Sequence, residues 1–102
     1  MSTATIRTPQ IRWIILLALN NARPYGAHEQ VLLATVQAIY PDATREEIRR
    51  ELDYLDQDSR NLISVRKAPD GHWHAELARY GVDLVEYQVE CDPGILRPEK
   101  YW

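Results

Sequence analysis

A mainly α-helical α+β domain with one small β-hairpin is the fold class this sequence predicts, and three observations predict it. Thr44-Arg45-Glu46-Glu47 opens a stretch in which Ile48, Leu52 and Leu55 recur at helical spacing. Pro69-Asp70-Gly71 separates two short runs that alternate apolar and polar residues, Ile63 to Lys67 and Trp73 to Leu77. Upstream, apolar residues at helical period fill two further segments, with Pro41-Asp42-Ala43 as the short turn into the third.

Taken in order, residues 1–8 are small and polar and are expected as a flexible N-terminal arm. Thr8-Pro9 offers a capping hydroxyl and a proline at the first helical position, so a first helix is expected from there to about Ala22. Ile11, Ile15, Ala18, Leu19 and Ala22 share its core face. Trp13 and Leu17 fall on its back with Asn20, and a helix apolar on both sides must be covered on both. Arg23-Pro24-Tyr25-Gly26 reads as a turn, followed by a second helix from about His28 to Tyr40 with Leu32, Val36 and Ile39 inward. In the third helix Thr44 can accept from the Glu47 amide while the Glu47 carboxylate reaches back to the Thr44 amide. Asn61 stands where the chain must leave that helix through a left-handed residue.

The hairpin has a definite register. A three-residue Pro-Asp-Gly loop pairs Lys67 with Trp73, Val65 with Ala75 and Ile63 with Leu77 on one face, and Arg66 with His74 and Ser64 with Glu76 on the other. A two-residue Asp-Gly loop would set Val65 against Glu76 and mix core with solvent, so the longer loop is favoured. A short fourth helix is expected over roughly Ala78 to Val89, with Val82, Val85 and Val89 on one side and Gly81 weakening it. Residues 91–102 hold two prolines and a glycine and read as an extended C-terminal tail.

These 102 residues allow one domain and one core. The segments are an arm at 1–8, a folded region at 9–90 and the tail at 91–102. A single cysteine, Cys91, excludes an intramolecular disulfide and points to a reducing compartment, so a cytoplasmic setting is expected. The longest apolar run, Trp13 to Leu19, is too short to span a bilayer, so no membrane partner is expected. The net charge of −3 gives no overall pull toward nucleic acid. Its distribution is uneven: residues 1–27 carry arginines and no acid, whereas residues 28–61 carry four arginines against eight acids.

Three helices, a helix–turn–helix spacing and a following hairpin together spell a winged helix-turn-helix, completed by a short C-terminal helix and an extended tail. From Ile11 to Leu77 the chain resembles winged-helix domains in the manner of small ArsR-like regulators. The run Leu77-Ala78-Arg79-Tyr80-Gly81-Val82-Asp83 through Asp92-Pro93-Gly94-Ile95-Leu96-Arg97-Pro98 resembles the ending of small winged-helix proteins of Mu-like phages and prophages. That resemblance implies a bacteriophage or prophage origin, a bacterial host cytoplasm and neighbouring genes for head assembly and DNA packaging. It implies no particular activity.

If the chain binds DNA, the third helix would enter the groove, and the candidate contacts are Arg45, Arg49, Arg50 and Gln57, with Arg66, Lys67, His72 and His74 on the wing. Against this, residues 44–58 hold three arginines and six acids, which a surface facing phosphates should not. Alternatively the helix is a solvated one laced with i,i+4 pairs such as Glu46 with Arg50, and Lys67 over Trp73 is a cation–π pair stiffening the ribbon. His72 and His74 share a strand face, but two imidazoles without a cysteine pair are a weak metal signal, and neither metal nor cofactor is expected. No Gly-rich phosphate loop and no nucleophile–base pair appears, so neither an enzyme nor a small-molecule substrate is expected. The expected function is therefore a DNA-binding accessory or transcriptional regulatory factor, acting on double-stranded DNA as a homodimer. The alternative is a protein–protein interaction module in phage assembly or DNA packaging that does not touch DNA. Trp13, Leu17, Ile95, Leu96, Tyr101 and Trp102 form the candidate interface, in which the tail covers the first helix of its own subunit or a partner covers it.

Overall fold

The computed structural model describes residues 3–57 and 59–100. Four helices and a three-stranded antiparallel sheet make up the fold, α1, α2 and α3 packing on the sheet and α4 on α1: α1 Thr3–Asn21, β1 Ala27–His28, α2 Glu29–Gln37, α3 Arg45–Leu55, β2 Ile63–Lys67, β3 Trp73–Leu77 and α4 Arg79–Val85. Strand order is β1-β3-β2. No helix among the described residues is long and apolar enough to cross a membrane.

Helix α1 begins at Thr3 rather than at Thr8-Pro9, so Pro9 lies inside it. Proline at a first turn is only a preference, and here the segment before it has its own anchor. Arg7 donates to Glu47 on α3 at 3.0 and 2.9 Å and to Asp42 at 2.9 and 3.1 Å, with its guanidinium over Tyr40. Residues 11 and 13–16 are all buried, so α1 is covered on both sides and runs through the middle of the core. Trp13, on the back of the helix, meets Tyr87 edge-on at 6.5 Å, whereas Leu17 stays 38 % exposed.

Helix α2 is shorter than its hydrophobic pattern suggests: Leu32 and Val36 are buried, but the helix ends at Gln37 and Ile39 is exposed. The strand before it carries no periodic signal, since two residues are too few to show one. Gly26, at φ +74°, makes that strand possible: a Cβ there would overlap the Ala75 carbonyl. At the start of α3 the Thr44 hydroxyl accepts from the Glu47 amide at 3.2 Å, as expected. The Glu47 carboxylate does not return to Thr44, because Arg7 takes both of its oxygens. Asn61 has φ +51°, the left-handed exit anticipated for it.

The hairpin adopts the expected register at every pair from Ile63–Leu77 to Lys67–Trp73. The Ala68 amide donates to His72 O across the loop, and Gly71 sits at φ +90°. Helix α4 is shorter than expected and turns Leu84 and Val85 inward, leaving Val82 and Val89 half-buried. Gly81 is no weak point. It lies so close to the Leu62 carbonyl that a side chain would not fit, and the adjoining Ala78 amide donates to that same carbonyl.

The tail, expected to be extended, makes a turn in which the Ile95 amide donates to Asp92 O, and it is tied down through residue 98. Ile95 is buried in the core, the Leu96 amide donates to Pro9 O at 3.1 Å, and Arg12 donates to Gly94 O at 2.8 Å. Arg97 donates to Leu84 O and Val89 O, and the Tyr87 hydroxyl donates to Pro98 O. Leu96 itself is exposed, and Tyr101 and Trp102 lie outside the described residues.

Candidate functional site

The sheet divides the hairpin residues between two sides. Strand alternation places Val65, Lys67, Trp73 and Ala75 toward the helices, and Arg66 and His74 on the outer face. Lys67 accordingly reaches Asp53 on α3 at 3.5 Å and sits 4.3 Å over the Trp73 ring, so the cation–π pair anticipated for it is present. Arg66, His72 and His74 instead line a cleft of about 240 Å³ with His28, Gln30, Ala68 and Asp70. The eight candidate DNA-contact residues therefore form two groups, one on α3 with Lys67 and one behind the ribbon.

On α3, Arg49 is not available to a groove. Its Nε and Nη2 donate to the two oxygens of Glu29 at 2.6 Å each, Nη2 also donates to Gly71 O at the hairpin tip, and the guanidinium lies 4.7 Å over Trp73. The Glu29 carboxylate is almost fully buried, and its hydrogen bonds from Arg49 hold it below the ordinary value of 4.5 despite that burial. Arg49 is thus a clamp joining α2, α3 and the hairpin. Sequence reasoning missed Glu29 as its partner because the two lie twenty residues apart on different helices, with no periodic relation.

The acids of α3 are also redistributed. Glu51 is buried and takes Arg12 from α1 at 2.8 Å and Arg50 at 3.3 Å. Glu47 is bound by Arg7, which holds it below its ordinary value. What α3 itself shows fully to solvent is Arg45, Glu46, Arg50 and Asp53, two cations and two anions, while at its exit Gln57 is exposed and Asp56 half-buried. Arg50 pairs with Glu51 rather than with Glu46 at i−4. Gln57 accepts from Arg60. Arg45 makes no hydrogen bond or ion pair among the described residues.

A second polar cluster lies where the tail crosses α3. The Tyr54 ring is held between two guanidinium groups, Arg12 at 3.4 Å and Arg60 at 3.7 Å. Its hydroxyl donates to Asp92 at 2.9 Å, and Arg60 donates to the other oxygen of that carboxylate at 2.9 Å. Burial works to raise the Asp92 carboxyl, but the Gly94 amide, the Tyr54 hydroxyl and Arg60 outweigh it and hold it below its ordinary value. Burial and the Asp92 contact raise the Tyr54 phenol. Beside this cluster a groove of about 560 Å³ runs between α4 and the tail, lined by Leu62, Tyr80, Leu84 and Cys91. Burial raises the Cys91 thiol, as suits a packing residue. No group of three or more potential ligands among the described residues could hold a metal ion. No protein-family model, no curated protein and no solved structure matches this chain.

Proposed function

We infer that the chain is a winged helix-turn-helix protein that binds duplex DNA as an accessory or regulatory factor, with α3 as the groove helix. The element order and the strand order β1-β3-β2 support this reading of the fold. The observation that carries the DNA reading is the inward turn of Glu47 and Glu51 onto Arg7 and Arg12. A helix acidic by composition thereby presents a balanced surface in which Arg45 and Arg50 can meet phosphates. Dimeric binding and a phage or prophage setting belong to the same reading, the latter resting on the C-terminal run from Leu77 to Pro98. The test is fluorescence anisotropy with short duplexes over a range of salt. Arg45→Ala and Arg50→Ala should each lower the salt slope by about 0.9, the share of a single neutralised phosphate.

A second reading is favoured by the Arg49 clamp. With its central arginine engaged by Glu29, α3 has few groups left for base edges, which suits a protein-interaction module of phage assembly or DNA packaging. Absence of binding to any duplex at low salt overturns the first reading in favour of the second.

A further inference from the structure

Register brings three side chains into one row across the outer face of the sheet. His28 on β1 stands opposite His74 on β3, and Arg66 on β2 stands opposite His74 from the other side. The two imidazoles meet edge-on at 5.0 Å. Arg66 is exposed and makes no hydrogen bond or ion pair among the described residues, whereas Arg7, Arg12, Arg49 and Arg60 all hold carboxylates. The row opens into the cleft of about 240 Å³ behind the ribbon.

We propose that the His28–His74–Arg66 row binds a phosphate group, and that binding strengthens as the imidazoles take up protons. The chemistry follows from the donors. A guanidinium offers a fixed fork to phosphate oxygens, and an imidazolium adds an N–H donor and a charge within the range where histidine ordinarily titrates. Three cations in one row repel one another unless an anion lies among them, so anion binding and protonation favour each other. The groups facing the row from each element can be named. The first turn of α2 contributes the neutral Gln30. The hairpin tip contributes Asp70 and His72, which are engaged with each other at 3.2 Å. β3 contributes Glu76, which shares the face of His74 and lies over Gly26. β2 contributes Ser64 beyond Arg66. Glu76 is the one acid on this face not committed to a cation among the described residues, and it opposes an anion.

This site lies on the opposite side of the ribbon from the exposed face of α3, so it can fail without the DNA reading failing, and the reverse. The experiment is a titration of the imidazole proton resonances of the full chain between about pH 5 and 8, with and without inorganic pyrophosphate. The His28 and His74 midpoints should each rise by about one pH unit when pyrophosphate is present, equivalent to about tenfold tighter binding for each proton taken up. Arg66→Gln should abolish the rise, Glu76→Gln should enlarge it, and Arg45→Gln on α3 should leave it unchanged. An unchanged amide spectrum shows that each variant is folded. A short duplex as second probe distinguishes the source of the phosphate: a rise with both probes identifies the nucleic-acid backbone, and a rise with pyrophosphate alone identifies a small phosphorylated ligand. Midpoints equal with and without pyrophosphate, or a rise that survives Arg66→Gln, overturn the proposal.

Discussion

Arg49 and Arg45 stand one turn apart on α3 and illustrate how differently two arginines of one helix can act. Arg45 points into solvent, and its replacement by alanine is expected to leave the melting temperature within about a degree while weakening any duplex binding. Arg49→Ala does the opposite. It strands the buried Glu29 carboxylate without its bidentate partner and frees the hairpin tip from its tie at Gly71 O, so the melting temperature should fall by several degrees. Thermal unfolding followed by circular dichroism separates the two outcomes, and Glu29→Gln in the Arg49→Ala background should recover part of the stability. The sequence shows both arginines at helical positions without showing which is engaged. The deciding residue, Glu29, sits at the first turn of another helix and is acidic, so neither pattern nor hydrophobicity marks it as buried.

Among the elements, the hairpin and the start of α3 were legible from local chemistry, whereas the start of α1, the ends of α2 and α4 and the strand β1 were not. The hairpin register follows from a three-residue loop and a period of two, both contained within fifteen residues, and the α3 start follows from Thr44 and Glu47 alone. Strand β1 is different. It exists because Gly26 permits a left-handed turn close against β3, and nothing in Ala27-His28 taken alone proposes a strand. Gly26→Ala should therefore detach β1, seen as faster amide exchange in β1 and its partner β3, with the β2–β3 pairs retained. The tail is the other case. Its proline and glycine content reads as extended chain, and its apolar residues as a cover for α1, whereas the chain makes a turn at 92–95 that carries Ile95 into the core while Leu96 stays exposed. Ile95→Ala should cost about 2–4 kcal/mol in urea unfolding, more than expected for a residue of a loose end.

Across the whole molecule, a chain of modest net charge is held together by ion pairs that join different elements: Arg7 to Glu47 and Asp42, Arg12 to Glu51, Arg49 to Glu29 and Arg60 to Asp92. Arg7 and Arg12 of the basic N-terminal segment hold acids of the acidic middle, Arg49 pairs within that middle and Arg60 pairs with the tail, which explains why charge summed by segment misleads about the surface. Glu29, Glu47, Asp42 and Asp92 all have carboxyls held below their ordinary values. Depressed folded-state values mean that the unfolded chain binds protons first as pH falls. The stability these groups contribute is complete above the ordinary carboxylate range, near 4.5 for glutamate and 3.8 for aspartate, and is lost as pH falls through the lower folded values. The melting temperature is expected to be level from neutrality to about pH 5 and to drop steeply below it. Arg49→Ala should flatten the Glu29 share of that drop.

The hydrogen bond from Arg12 to Gly94 O joins residues 82 positions apart, and the Leu96 amide reaches back to Pro9 in the same place. Synthesis runs from one end, so α1 emerges long before the segment that seals it. Until then Arg12 has Glu51 as a partner but no cover from Gly94, and the place of Ile95 in the core stands empty. The clasp becomes available only late to a nascent chain, and closing so long a loop is slow relative to forming the hairpin. A protease acting on ribosome-bound chains should therefore find α1 accessible in intermediates that already contain a formed hairpin, and be shut out only when residues 94–96 have left the exit tunnel.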